Sequence, residues 1–205
     1  MGGTLVAAIA RGLSGGLSNW LPPHYAGDMT SNPARFSAIL LAIALAAAMR
    51  LLPHPPNFSP IGAMALFGGA YFGRRWLAFL APLAAMLLSD AVIGFHSGMA
   101  YVYGSVALVV LIGWALARRV SPFTVAGAAI ASSVLFFLVT NFGTWATGEL
   151  YPQTLAGLAA CYVAAIPFFQ NTLAGDLFFS AVLFGGFALV EWRVPVLRSK
   201  APQPA

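Results

Sequence analysis

Apolar residues run through this chain in long stretches, interrupted at short intervals by proline, glycine and paired arginines. The first stretch extends from about Phe36 to Leu52 and would rise roughly 26 Å as a helix, just enough for the hydrocarbon core of a bilayer. It stops at Pro53-His54-Pro55-Pro56, which cannot continue a helix. Further spans are predicted over about Ser59 to Gly73, Trp76 to Gly94, Met99 to Ala117, Pro122 past Asn141 to Trp145, and Thr172 to Trp192. The apolar stretch from Thr154 to Phe169 is interrupted by Pro167. If it crossed the membrane separately, the last span would end on the wrong side for its basic residues. It is therefore expected as a re-entrant or outer-surface segment, or as part of a long tilted hairpin; irregular backbone at membrane depth survives only when buried in protein or lining a cavity. The expected fold is all-α: a polytopic bundle of six transmembrane helices.

Charge then orients the bundle. With the N-terminus in the cytoplasm, six crossings place Arg11, Arg35, Arg74, Arg75, Arg118, Arg119, Arg193, Arg198 and Lys200 inside, leaving only Arg50 of the ten basic residues at an outer end. This is the positive-inside pattern, and it predicts both termini in the cytoplasm. The outer ends collect the other polar chemistry, from His54 and Asn57 through Asp90 and His96 to Asn141, Glu149, Tyr151, Gln170, Asn171 and Asp176.

Composition narrows the class. The chain is 60% hydrophobic and 7% charged, where a soluble domain carries about 25% charged residues. Six helices and their loops use most of the 205 residues. Residues 1–34 are expected as a mobile cytoplasmic extension, with Met29 a second candidate start, and 194–205 as a cytoplasmic tail around a 35–193 transmembrane domain. The net charge of +5 sits at span ends, where it anchors helices to lipid headgroups rather than to nucleic acid. Cys161 is the single cysteine, which excludes a disulfide within the chain and a multi-cysteine zinc site.

The costly residues point to function. A charge at a helix centre costs about 2.5–3.5 kcal/mol on insertion scales, so Arg50, Asp90 and Asp176 need partners. One arrangement sets Arg50 against one or both aspartates, either as an ion pair pinning the first, third and sixth spans or as the polar floor of a pocket. Around them stand His54 and Asn57 in a proline-stiffened loop, and His96 between glycines. Asn141, Trp145, Glu149, Tyr151 and Asn171 complete a set suited to a planar, heteroatom-rich small molecule. No metal ligand spacing is present. Nor is there a nucleophile elbow, a zinc-protease helix or a phosphate loop, so no enzyme activity and no cofactor is expected, and ATP would have to be spent by another chain. Alanines at 38, 42 and 46 give the first span a small-residue face, and Gly69 and Gly73 do the same for the second.

The segments HPPNFSPIGAMALFGGAYFGRR, SDAVIGFHSGM, VTNFGTWATGELYP and PFFQNTLAGDLFF resemble an uncharacterised family of bacterial membrane proteins. That family is similar to the substrate-binding S components of energy-coupling-factor vitamin transporters. The resemblance covers roughly residues 36 to 192. It implies capture of a vitamin-like micronutrient from outside, and docking of Ala38, Ala42 and Ala46 onto a transmembrane coupling protein that joins two ATPases. The expected function is thus a substrate-binding uptake protein lined by Arg50, His54, Asn57, Asp90, His96, Asn141, Trp145, Glu149, Tyr151, Asn171 and Asp176. Two alternatives remain: a membrane scaffold binding a protein at its outer face, and an intramembrane enzyme using His54 or His96 with Asp90. The enzyme would require those side chains to converge in a water-accessible cleft.

Overall fold

A computed structural model describes residues 32–148 and 150–198. The expected N-terminal extension through residue 31, Glu149, and the tail from residue 199 lie outside these. The described residues are helical, without strands. Six helices follow one another: α1 Pro33–Met49, α2 Ile61–Tyr71, α3 Arg75–Ile93, α4 Met99–Leu116, α5 Pro122–Ala146 and α6 Leu155–Arg193. Four of them, α3 to α6, are long and apolar enough to cross a membrane, while α1 and α2 are shorter apolar helices. Large apolar side chains such as Leu88, Val92 and Phe123 lie exposed on the outside of the bundle, a surface suited to lipid rather than water. The chain is a membrane protein.

Local chemistry sets the helix starts. Asn32 caps α1 by accepting from the Arg35 N–H, with Pro33 in the first helical position. Ser121 and Thr124 form a reciprocal capping box ahead of α5, again with proline following the cap. Thr154 accepts from the Gly157 N–H at the start of α6. That start corrects one expectation, because the Thr154–Phe169 stretch is neither re-entrant nor a surface segment. It is the first part of α6 and forms a long hairpin with α5, the third arrangement anticipated. Pro167 lies inside the helix without ending it. A proline removes one intrahelical hydrogen bond, and membrane helices tolerate this where neighbours absorb the lost bond. The hairpin is held by Tyr162 donating to the Leu138 carbonyl at 2.7 Å and by Phe137 against Tyr162 and Phe169. At 39 residues, α6 runs roughly 58 Å, nearly twice the hydrocarbon thickness. A π-helical turn, Ala181–Gly185, interrupts its second half.

The middle of the bundle is α2. Residues Gly62 to Tyr71 are all buried, as an evenly apolar helix must be when surrounded on every side. It packs on α1, α3, α4, α5 and α6. Close approach to α4 depends on Gly69 and Gly113. A Cβ on Gly69 would overlap the Val110 carbonyl, and one on Gly113 would overlap that of Leu66. Gly69 thus serves a contact within the chain.

At one end, Arg35 is buried and joins three elements. It pairs with Glu191 of α6, donates to the Leu197 carbonyl at 2.7 Å and stacks over Tyr71 and Phe187. The first residues of the segment expected as a cytoplasmic tail from residue 194 are attached here: Pro195–Leu197 forms a 3-10 turn, and Asn32 donates to the Val196 carbonyl. Some 22 Å away along α1, by helical rise, lies the opposite end, which carries Arg50 and Asp90.

Candidate functional site

Two polar centres occupy the Arg50 end, and they are chemically distinct. In the first, Arg50 closes α1 and reaches α3, where Nη2 donates to Asp90 Oδ1 at 2.7 Å and Nη1 bonds Ser89 Oγ. The second Asp90 oxygen accepts from Tyr103 Oη of α4 at 2.7 Å. Asp90 is buried and its carboxylate is engaged on both sides. This is the pinning arrangement, corrected in one respect: it ties α1, α3 and α4, and Asp176 takes no part in it.

The second centre belongs to Asp176, which is 3% exposed. Ser133 of α5 donates to its Oδ2 at 2.6 Å, while Oδ1 lies against Gly62, where a Cβ would overlap the carboxylate. Among the described residues no basic side chain lies within salt-bridge distance of it. Asp176 borders a cavity of about 80 Å³, lined also by Asn57, Ser59, Gly62, Phe136 and Thr172. The cavity sits where α2 is not yet helical. Asn57 has φ 63°, in the left-handed region that Asn tolerates, and Pro60 stands at the helix start. Phe58 packs on Phe178 and Phe179, drawing this loop down beside α6. Broken helices that expose backbone and side-chain polar groups in a membrane domain are where solute and ion sites are built.

The remaining expected residues are dispersed. Asn171 donates to the Pro56 carbonyl at 2.9 Å and ties α6 to the proline-rich loop above the cavity. His54 is exposed and bonds the Leu52 carbonyl, and His96 is exposed in the α3–α4 loop. Neither hydrogen-bonds Asp90, whose partners are Arg50 and Tyr103. Asn141 turns back to the Phe137 carbonyl of its own helix, and Trp145 donates to the Pro152 carbonyl across the α5–α6 turn, where Tyr151 is half-buried. Of the eleven expected positions, the cavity gathers Asn57 and Asp176, with Asn171 beside them. Among the described residues no three His, Cys, Asp or Glu side chains cluster as a metal site would need.

Sequence reasoning passed over Ser133, Ser59 and Thr172 as site residues. A signal existed: Thr172, Asp176 and Ser180 recur every four residues, so they share one face of α6. All three are buried, and Ser180 Oγ is the buried side-chain polar atom left without a hydrogen-bond partner among the described residues.

The alanine face of α1 has a separate setting. Ala38, Ala42 and Ala46 line an apolar groove of about 760 Å³ opposite Phe179, Leu183 and Gly186 of α6. The groove is roughly tenfold larger than the Asp176 cavity and almost without polar groups.

Comparison with known proteins adds a family and no function. The family described as "Family of unknown function (DUF6580)" matches residues 30–197. The chain belongs to it. Neither a curated protein nor a solved structure matches the chain.

Proposed function

We propose that this member of a family without known function is a substrate-binding and uptake protein for a vitamin-like micronutrient in a bacterial inner membrane. It crosses six times with both ends in the cytoplasm, so that the Asp176 cavity faces outward. The observation that carries this reading is Asp176 itself. Burying an ion in a protein interior costs several kcal/mol unless it is paired, and a cavity bordered by Asn57, Ser59 and Thr172 gives that carboxylate a place to meet a ligand. Ligand pockets for whole drug-sized molecules measure about 300–1,000 Å³, so the cavity of about 80 Å³ seats one polar group. The remainder of the ligand lies along the exposed loop from Leu51 to Asn57.

The apolar groove supports the second half of the proposal. Small residues on α1 let a partner helix approach closely, and the resemblance to S components supplies the partner, a coupling protein bearing two ATPases. Membrane lipid covers the other exposed apolar faces. The scaffold alternative instead places a protein partner on the outer face.

Native mass spectrometry of the gently purified chain separates these readings. A retained small molecule, absent from Asp176→Asn of equal fold, is the expected result. A stoichiometric polypeptide with no small molecule would replace uptake by the scaffold.

A further inference from the structure

We infer that the Asp176 cavity selects a small monovalent cation, either an inorganic ion of sodium size or the ammonium group of the captured solute. This rests on the binding reading above and names the chemistry of its ligand.

Charge is the first argument. Asp176 is 3% exposed and meets no basic side chain among the described residues, whereas Asp90 and Glu191 each have an arginine. Two local features temper its charge. Ser133 donates one hydrogen bond, and the first turn of α2, at Gly62, brings the positive end of a helix dipole close by. Such a dipole amounts to about half an elementary charge, so it offsets only part of the carboxylate. The site attracts positive charge and repels a carboxylate or phosphate.

The donor set is the second argument. The polar side chains around the cavity are those of Asn57, Ser59, Thr172 and Asp176. Their acceptors are all oxygens, which suit hard cations. Asp176 is the one ionisable side chain in the described lining of the cavity. Sites built entirely by protein for divalent ions use more anionic ligands. A single negative charge matches a single positive one. Phe136 contributes an aromatic wall, a surface that also attracts an ammonium group.

Size is the third. About 80 Å³ accommodates a small ion with a water or two, or a primary ammonium with its first carbon. A quaternary ammonium such as choline, with methyl groups on every side, is too large to bring its charge up to Asp176.

The test uses the full chain in lipid nanodiscs and measures binding of radiolabelled sodium and of radiolabelled methylammonium. Unlabelled sodium, potassium, methylammonium and choline chlorides serve as competitors. The expected result is saturable binding of at least one probe, unaffected by choline and lost in Asp176→Asn. Because Asp176→Asn also alters a buried contact, Thr172→Val supplies a nearly isosteric second variant, expected to weaken binding about tenfold through loss of one oxygen ligand. Gln170→Ala, exposed on the same helix, is expected to bind as the parent does. Sodium binding that methylammonium does not displace identifies an inorganic ion; methylammonium binding that displaces sodium identifies the solute's own ammonium. Absence of saturable binding for both probes, or equal binding by Asp176→Asn, overturns the inference. If native mass spectrometry still shows a retained neutral or anionic solute, only the cation chemistry fails. If it shows none, the uptake reading fails with it.

Discussion

The pair formed by Arg50 and Asp90 has a stability signature that separates a structural pin from a ligand site. Its side chains are 11% and 7% exposed, and the carboxylate accepts from Arg50 and Tyr103 at 2.7 Å each. Arg50→Met leaves Asp90 with a phenol as its remaining partner. Removing one member of a buried pair costs about 3–5 kcal/mol, because the other charge stays buried and uncompensated. Asp90→Leu is expected to cost less, about 2 kcal/mol. Arg50 ends its helix beside exposed Leu51 and Leu52, so its long side chain can swing out to polar surroundings as buried Asp90 cannot. The double variant Arg50→Met, Asp90→Leu removes both charges and should lie within about 1 kcal/mol of the parent. Unfolding in mixed micelles with increasing SDS, followed by tryptophan fluorescence, gives the three differences, and the cycle gives a coupling of about 3 kcal/mol or more. Ligand binding at Asp176 should survive in the double variant. Additive single effects, or a double variant as unstable as the sum of the two, would refute the pinning role.

Other expected outcomes follow from packing. Gly69→Ala forces a methyl onto the Val110 carbonyl and should cost about 1–3 kcal/mol. Gly127→Ala, which meets nothing within 4 Å, should be neutral or stabilising by up to about 1 kcal/mol; the same SDS titration compares them. Arg35→Met strands Glu191 and loses the Leu197 contact and two aromatic faces, so a loss of about 3–5 kcal/mol is expected. Ala42→Leu projects into the groove beside α6; it should leave solute retention unchanged in native mass spectrometry and abolish cellular uptake, and unchanged uptake would remove the docking role.

Much of the helical layout was legible from the chain. Asn32-Pro33 and Ser121-Pro122 mark helix starts by chemistry that local sequence carries, and the Arg74-Arg75 and Arg118-Arg119 pairs fall at ends of α3 and α4 as expected. The start of α6 was hidden because Pro167 reads locally as a break, while the contacts that carry a helix through it come from α5. Partnership was harder. Arg50 could be matched to Asp90 or Asp176 from sequence alone, and only the packing of α2 between them settles it: Gly62 meets Asp176, and Arg50 is left to α3. Arg35 read as a surface anchor because its partner, Glu191, lies at the far end of the chain. Ser133 was invisible as a site residue, since a serine in an apolar span commonly bonds back to its own helix; its Oγ lies 3.0 Å from the Ala129 carbonyl, but the nearer Asp176 oxygen at 2.6 Å takes its one proton.

The outward opening of the Asp176 cavity is the claim on which uptake depends, and thiol labelling in intact cells tests it most directly. In a Cys161→Ser background, Asn57→Cys at the exposed mouth of the cavity should react with a membrane-impermeant maleimide added outside, and Arg193→Cys only after the membrane is opened. Labelling of Arg193→Cys from outside, with Asn57→Cys protected until permeabilisation, would turn the bundle over and contradict uptake through this site.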